Sequence, residues 1–80
     1  MFLEVITPDE KIFEDEIKSV KIPGTKGSFE ILKNHAPIIS TLGEGTIRII
    51  DKNNKEHRFQ TGGGVLENRE NKIIILIESA

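Results

Sequence analysis

The chain has 80 residues, with 11 lysines and arginines against 13 acidic residues, two histidines and no cysteine. So short a chain hides only about 60–65% of its unfolded surface, so a single domain spanning 1–80 is expected, and neither disulfides nor a thiolate zinc site can reinforce it. The charges are interspersed with no basic stripe, and four phenylalanines without Trp or Tyr offer no stacking platform, which together exclude the usual footprints of nucleic-acid binding.

At the start, Met1, Phe2, Leu3, Glu4 and Val5 form an apolar stretch that lacks a positive flank and is broken by Glu4 and Pro8, so it does not read as a secretory signal. From there the chain alternates short β-branched segments with Pro, Gly, Asn and Asp at regular intervals, the pattern of an all-β sandwich or barrel. Strands are expected over 2–7, 11–13, 16–22, 28–32, 38–42, 46–51, 56–61, 65–67 and 72–78. No window supports a helix longer than about a turn.

Alternation assigns the faces. Leu3 points with Val5, Val20 with Ile22, Phe29 with Ile31, Ile47 with Ile49, and Ile73 with Ile75 and Ile77; these residues are the expected core, and the phenylalanines are expected inside it. Ile17 and Val20 are three apart, which breaks the period of two and predicts a bulge or corner between them. The polar cluster Asp51-Lys52-Asn53-Asn54-Lys55 predicts a hairpin, since Asn tolerates left-handed backbone. Residues 67–71 read as a second such connection.

The last strand lacks alternation: Ile73-Ile74-Ile75-Leu76-Ile77 is apolar throughout. A central strand covered on both faces is the plainer reading, and the rival is that Ile74 and Leu76 form an outward sticky patch. The run is far short of the roughly 20 residues a spanning helix needs, so direct membrane insertion is not expected.

Groups with catalytic chemistry are sparse. His35, His57, a few serines and scattered carboxylates show no diagnostic spacing, and His57, between Glu56 and Arg58, reads as a surface or strand-end histidine. Gly62-Gly63-Gly64 lacks the Lys-Ser/Thr and the helix that a phosphate loop requires, so a bulge or a close backbone approach is the better reading. The acidic groups Asp9-Glu10 and Glu14-Asp15-Glu16 lack the ligand spacing of a calcium loop. No catalytic residue, cofactor or metal is expected.

The segment Ile22-Pro23-Gly24-Thr25-Lys26-Gly27-Ser28-Phe29-Glu30-Ile31-Leu32-Lys33-Asn34-His35-Ala36-Pro37 resembles the epsilon subunit of F-type ATP synthases, in its amino-terminal domain. The resemblance continues through Gly45 with Ile47-Arg48-Ile49, through Gly62-Gly63-Gly64-Val65-Leu66-Glu67, and into the closing strand. It implies an antiparallel β-sandwich of about ten short strands in two layers. It also implies a non-catalytic central-stalk subunit that binds the gamma subunit and the ring of membrane rotor subunits, coupling ion translocation to ATP synthesis. Such a protein would sit on the cytoplasmic side of the bacterial inner membrane as a peripheral part of the complex.

By position, the resemblance places Gly27, Ser28, Phe29, His35 and Ala36 in loops facing the rotor ring and the gamma foot, with Thr7, Ser40 and Gly43 on the neighbouring gamma-facing surface. Many family members carry an acidic residue where this chain has Ser28, so a charge pair with the ring at that position is not implied. His35 also reads as a turn residue bonded locally to backbone, because Pro37 biases Ala36 toward extended conformation. Members typically continue beyond the residue matching Ala80 into a helical hairpin that inhibits ATP hydrolysis. The expectation is a short form without that brake or its nucleotide site. The rival from another class is a small ligand-binding or hydrolytic sandwich built on His35 or the triple glycine, which would require a pocket of convergent polar groups.

Overall fold

Branched aliphatic residues at every second position favour extended chain with one apolar side, and a computed structural model, describing residues 1–78, folds this pattern into eight strands. They are β1 (Phe2–Ile6), β2 (Lys11–Gly24), β3 (Gly27–Leu32), β4 (Ile38–Leu42), β5 (Gly45–Asp51), β6 (Glu56–Thr61), β7 (Gly64–Arg69) and β8 (Lys72–Ile77). The number is eight where about ten were expected. The segments read as separate strands over 11–13 and 16–22 are the two halves of the long β2.

β2 joins the two layers. Its first half pairs with β1, which continues through β8 and β7 to β4; its second half lies between β3 and β5, and β6 flanks β5. Neighbours are antiparallel except β1 and β8, which run parallel. The change of layer coincides with the expected bulge: Ile17 pairs with Asp51 but Ser19 with Ile50, leaving Lys18 unmatched. The one-residue slip moves the inward set from Phe13 and Ile17 to Val20 and Ile22, which keeps both halves of the strand facing one core.

That core is entirely Leu, Val and Ile. Leu3, Val5, Val20, Ile22, Ile31, Ile47, Ile49, Ile73 and Ile75 are fully buried and Ile77 nearly so, as alternation predicts, and Ile17, Leu42 and Leu66 join them. Each such burial is worth about 1.5–3 kcal/mol. The phenylalanines differ from expectation: all four are only partly buried. Phe13 and Phe59 meet edge to face with ring centroids 6.1 Å apart, and His57 meets Phe13 at 5.0 Å. These rings close the side between edge strand β6 and the first half of β2, while branched aliphatics fill the interior.

The turns follow their chemistry. Asn54 has φ 66° in the β5–β6 hairpin, and the buried Asp51 carboxylate accepts the Asn53 and Lys55 N–H groups at 2.8 and 2.9 Å. The β7–β8 connection is tighter than the loop expected over 67–71: the strand continues to Arg69, which pairs with Lys72, and only Glu70 and Asn71 turn, both with positive φ. Two successive positive φ values are what a two-residue hairpin matching strand twist requires.

Candidate interaction surface

Register builds one apolar surface from residues far apart in sequence. Ser40, Leu66, Ile75 and Val5 lie opposite one another across β4, β7, β8 and β1, and Leu66, Ile75 and Val5 are fully buried. Side chains alternate along a strand, so the flanking rows point outward. One row is Ile39, Glu67, Ile74 and Glu4; the other is Thr41, Val65, Leu76 and Ile6. Ile39 is 74% exposed, Leu76 50% and Val65 43%. Together with Ile74 and Glu67 they line a shallow groove of about 260 Å3. The last strand is therefore not covered on both faces, the plainer reading from sequence: β8 is central in its layer, but Ile74 and Leu76 face outward on an open apolar patch, as the rival reading expects.

A second groove, of about 600 Å3, lies between the β2–β3 turn and β4, and it collects four of the residues singled out from sequence: Gly27, Ser28, Phe29 and Ser40. Thr25 and Thr41 share a hydroxyl hydrogen bond of 3.1 Å across it, and Ile39 belongs to both grooves. Ser28 is exposed, whereas Phe29 packs its ring against Gly24 and the core, which gives it a structural task as well.

His35 and Ala36 sit in the β3–β4 turn, where Asn34 has φ 67° and the His35 N–H donates to the Leu32 carbonyl at 3.1 Å. His35 Nδ1 lies 2.8 Å from the Ala36 carbonyl oxygen; a carbonyl only accepts, so Nδ1 carries the proton. The ring is exposed and bonded to local backbone, as the turn reading expects. Asn68, buried on β7, donates to the same carbonyl at 3.4 Å. Sequence reading missed Asn68, because it looked like a loop residue.

Thr7 and Gly43 lie outside the lining of both grooves. The Thr7 hydroxyl donates to the Glu10 carbonyl at 3.1 Å and accepts the Glu10 N–H at 3.1 Å, which organises the β1–β2 turn. Gly43 donates its N–H to the Pro23 carbonyl at 2.6 Å.

Several charges meet in ion pairs within and between strands. Glu4, 9% exposed, is held by Lys11 at 2.7 Å and Lys72 at 3.3 Å, and these ammonium groups, Lys11 foremost, keep its carboxyl below the ordinary range. Glu56 is lowered in the same sense by Arg58 and then Arg48. His57, read as a surface or strand-end histidine, sits at the start of β6 and also bonds Asp51 at 2.9 Å; this contact, with the Lys55 and Asn53 N–H groups, brings the Asp51 carboxyl from an ordinary 3.8 to about 2. Around the triple glycine, the Thr61 hydroxyl both accepts the Gly63 N–H and donates to the Gly63 carbonyl, and the cavity there is flanked by the Glu78 carboxylate. A nearby anion and an occupied N–H are poor provisions for phosphate. No described cavity holds both His35 and this loop.

Comparisons with known proteins agree with this architecture. The family described as "ATP synthase, Delta/Epsilon chain, beta-sandwich domain" matches residues 1–80. The chain is 41% identical over 76 residues to the ATP synthase epsilon chain of Chlorobaculum tepidum, covering 95% of this chain and 86% of the relative. It is 40% identical over 80 residues to that of Campylobacter concisus, of which it spans 62%. A chain of the Euglena gracilis mitochondrial ATP synthase superposes with a TM-score of 0.87 at 19% identity, covering 94% of this chain and 48% of that one, and shares the fold. The chain therefore belongs to the family of ATP synthase delta and epsilon chains, and its strands form that family's β-sandwich domain.

Proposed function

We propose that this chain is the epsilon-type subunit of the central stalk of an F-type ATP synthase. It acts as one domain that transmits torque through its surfaces and performs no chemistry of its own. The gamma subunit covers the outer face of β4, β7 and β8, and the ring of membrane rotor subunits meets the end of the sandwich that carries Gly27, Ser28 and Phe29. His35 and Ala36 contribute loop contacts to these partners, with Thr7, Ser40 and Gly43 in neighbouring regions of the gamma-facing surface. The working position is peripheral, on the cytoplasmic side of the bacterial inner membrane.

The observation that carries this reading is the alignment of exposed Ile39, Val65 and Leu76 on three adjacent strands. An apolar face of this kind on a small sandwich is stabilised by being covered, and two packed layers joined through one continuous strand resist bending under load. The family relationship supports looking for that cover among the central-stalk subunits of an ATP synthase. The test is to mix the purified chain with the gamma subunit of the same organism. Co-elution at ordinary salt is expected, and it is lost when Leu76→Asp places a charge in the middle of the face. Absence of association by the unaltered chain would overturn the proposal.

A further inference from the structure

The outward face of β4, β7, β8 and β1 carries two carboxylates, and only one of them is compensated. Glu4 is held by both Lys11 and Lys72. Glu67, in the same cross-strand row, is half-buried between Ile39 and Ile74 and makes no side-chain hydrogen bond or ion pair among the described residues. Of the nearby cations, Lys72 on this face and Lys11 on the adjoining first half of β2 are already committed to Glu4, and Lys11 also to Glu14. Arg69, two residues further on the same side of β7, is exposed and is not in ion-pair contact with Glu67.

A carboxylate left in water at the centre of an apolar groove costs little. Once a partner covers the groove, the same group loses its hydration and must be matched by a charge or by hydrogen-bond donors. A purely apolar partner would bind better to Leu or Val at this position. The placement therefore favours a partner that brings its own cation, and it penalises any register of docking that does not.

We propose that Glu67 is the register-setting contact of this face, and that the covering segment of the gamma subunit is apolar with one lysine or arginine seated on the Glu67 carboxylate. This rests on the docking reading above. The apolar residues supply adhesion, and the single ion pair fixes where along the strands the partner sits, so that torque is delivered at one defined position.

The experiment is a titration of gamma with the unaltered chain and with Glu67→Gln, Glu67→Leu, Arg69→Gln and Ile39→Asp variants, each first checked for an unchanged melting curve. Glu67 is on the outer face, so the sheet tolerates its replacement. Removing one partner of a desolvated charge pair is expected to weaken binding by about 30-fold or more, so Glu67→Gln and Glu67→Leu both bind more weakly, although Leu adds apolar surface; Arg69→Gln binds normally. Tighter or equal binding by Glu67→Leu would overturn the proposal, as would a loss in Arg69→Gln matching that in Glu67→Gln. If Ile39→Asp abolishes binding while Glu67→Leu tightens it, the proposal alone fails. If the unaltered chain does not bind gamma, the docking reading fails and takes the proposal with it.

Discussion

Gly64 opens β7 with φ +157°, a backbone conformation that residues with a side chain rarely adopt. A β-carbon there would fall well inside van der Waals contact of the Leu76 carbonyl oxygen and 3.0 Å from the Ile77 Cα. Both neighbours are backbone atoms of β8, so no side chain can swing aside. Gly64→Ala therefore carries about 1–3 kcal/mol of backbone strain and about 1–3 kcal/mol of overpacking. The two together make about 2–6 kcal/mol, against about 4–12 kcal/mol for a whole domain of this size. At roughly 4–8 °C per kcal/mol for a domain of this size, the melting temperature should fall by at least about 8 °C. Gly27→Ala is the internal control, because φ is +120° there but open space surrounds the position, leaving the strain alone. Circular dichroism melts of both variants separate the two contributions. Equal melting temperatures would refute the claim that the triple glycine exists to let β7 and β8 approach.

Other consequences can be checked with the same equipment. Because the Asp51 carboxyl is depressed from 3.8 to about 2, its stabilising contribution is complete above the unfolded value and is lost as the pH falls through the folded one. The melting difference between the unaltered chain and Asp51→Asn should therefore be largest above about pH 4 and shrink toward pH 2; a difference that does not change over this interval would contradict the role given to the His57 contact. Ile75→Ala, at a fully buried position, should cost about 2–5 kcal/mol in a urea titration. Leu32→Ala, at a position 54% exposed, should stay within about 0.5 kcal/mol of the unaltered chain; comparable losses would mean that the core is misplaced.

The fold was largely legible because inward-facing residues repeat with period two, and even the break between Ile17 and Val20 marked the bulge where β2 changes layer. The continuity of β2 was hidden because Glu14 and Asp15 resemble a polar connection. In the structure they extend the strand and pair with Lys11 and Lys52. Buried polar contacts were also hidden: Asp51 holds the turn its sequence suggests, but its His57 contact, like the bond from Asn68 to Ala36, comes from another element. The candidate interaction face was legible only in part. The apolar run in β8 offered an outward patch at Ile74 and Leu76 as one of two readings, but nothing local says that Ile39 rather than Ile38, or Val65 rather than Leu66, points outward. Strand register alone aligns Thr41, Val65 and Leu76 into one row, with Ile39, Glu67 and Ile74 beside it.

The chain contains no cysteine, so a single introduced thiol reports its own surroundings without interference. The decisive comparison is the maleimide labelling rate of Leu76→Cys in the free chain and in the complete ATP synthase purified from its source. Rapid labelling of the free protein and slow labelling in the assembled enzyme are predicted. Equal rates in the two would leave the face of β4, β7 and β8 uncovered in the working machine and would contradict the account.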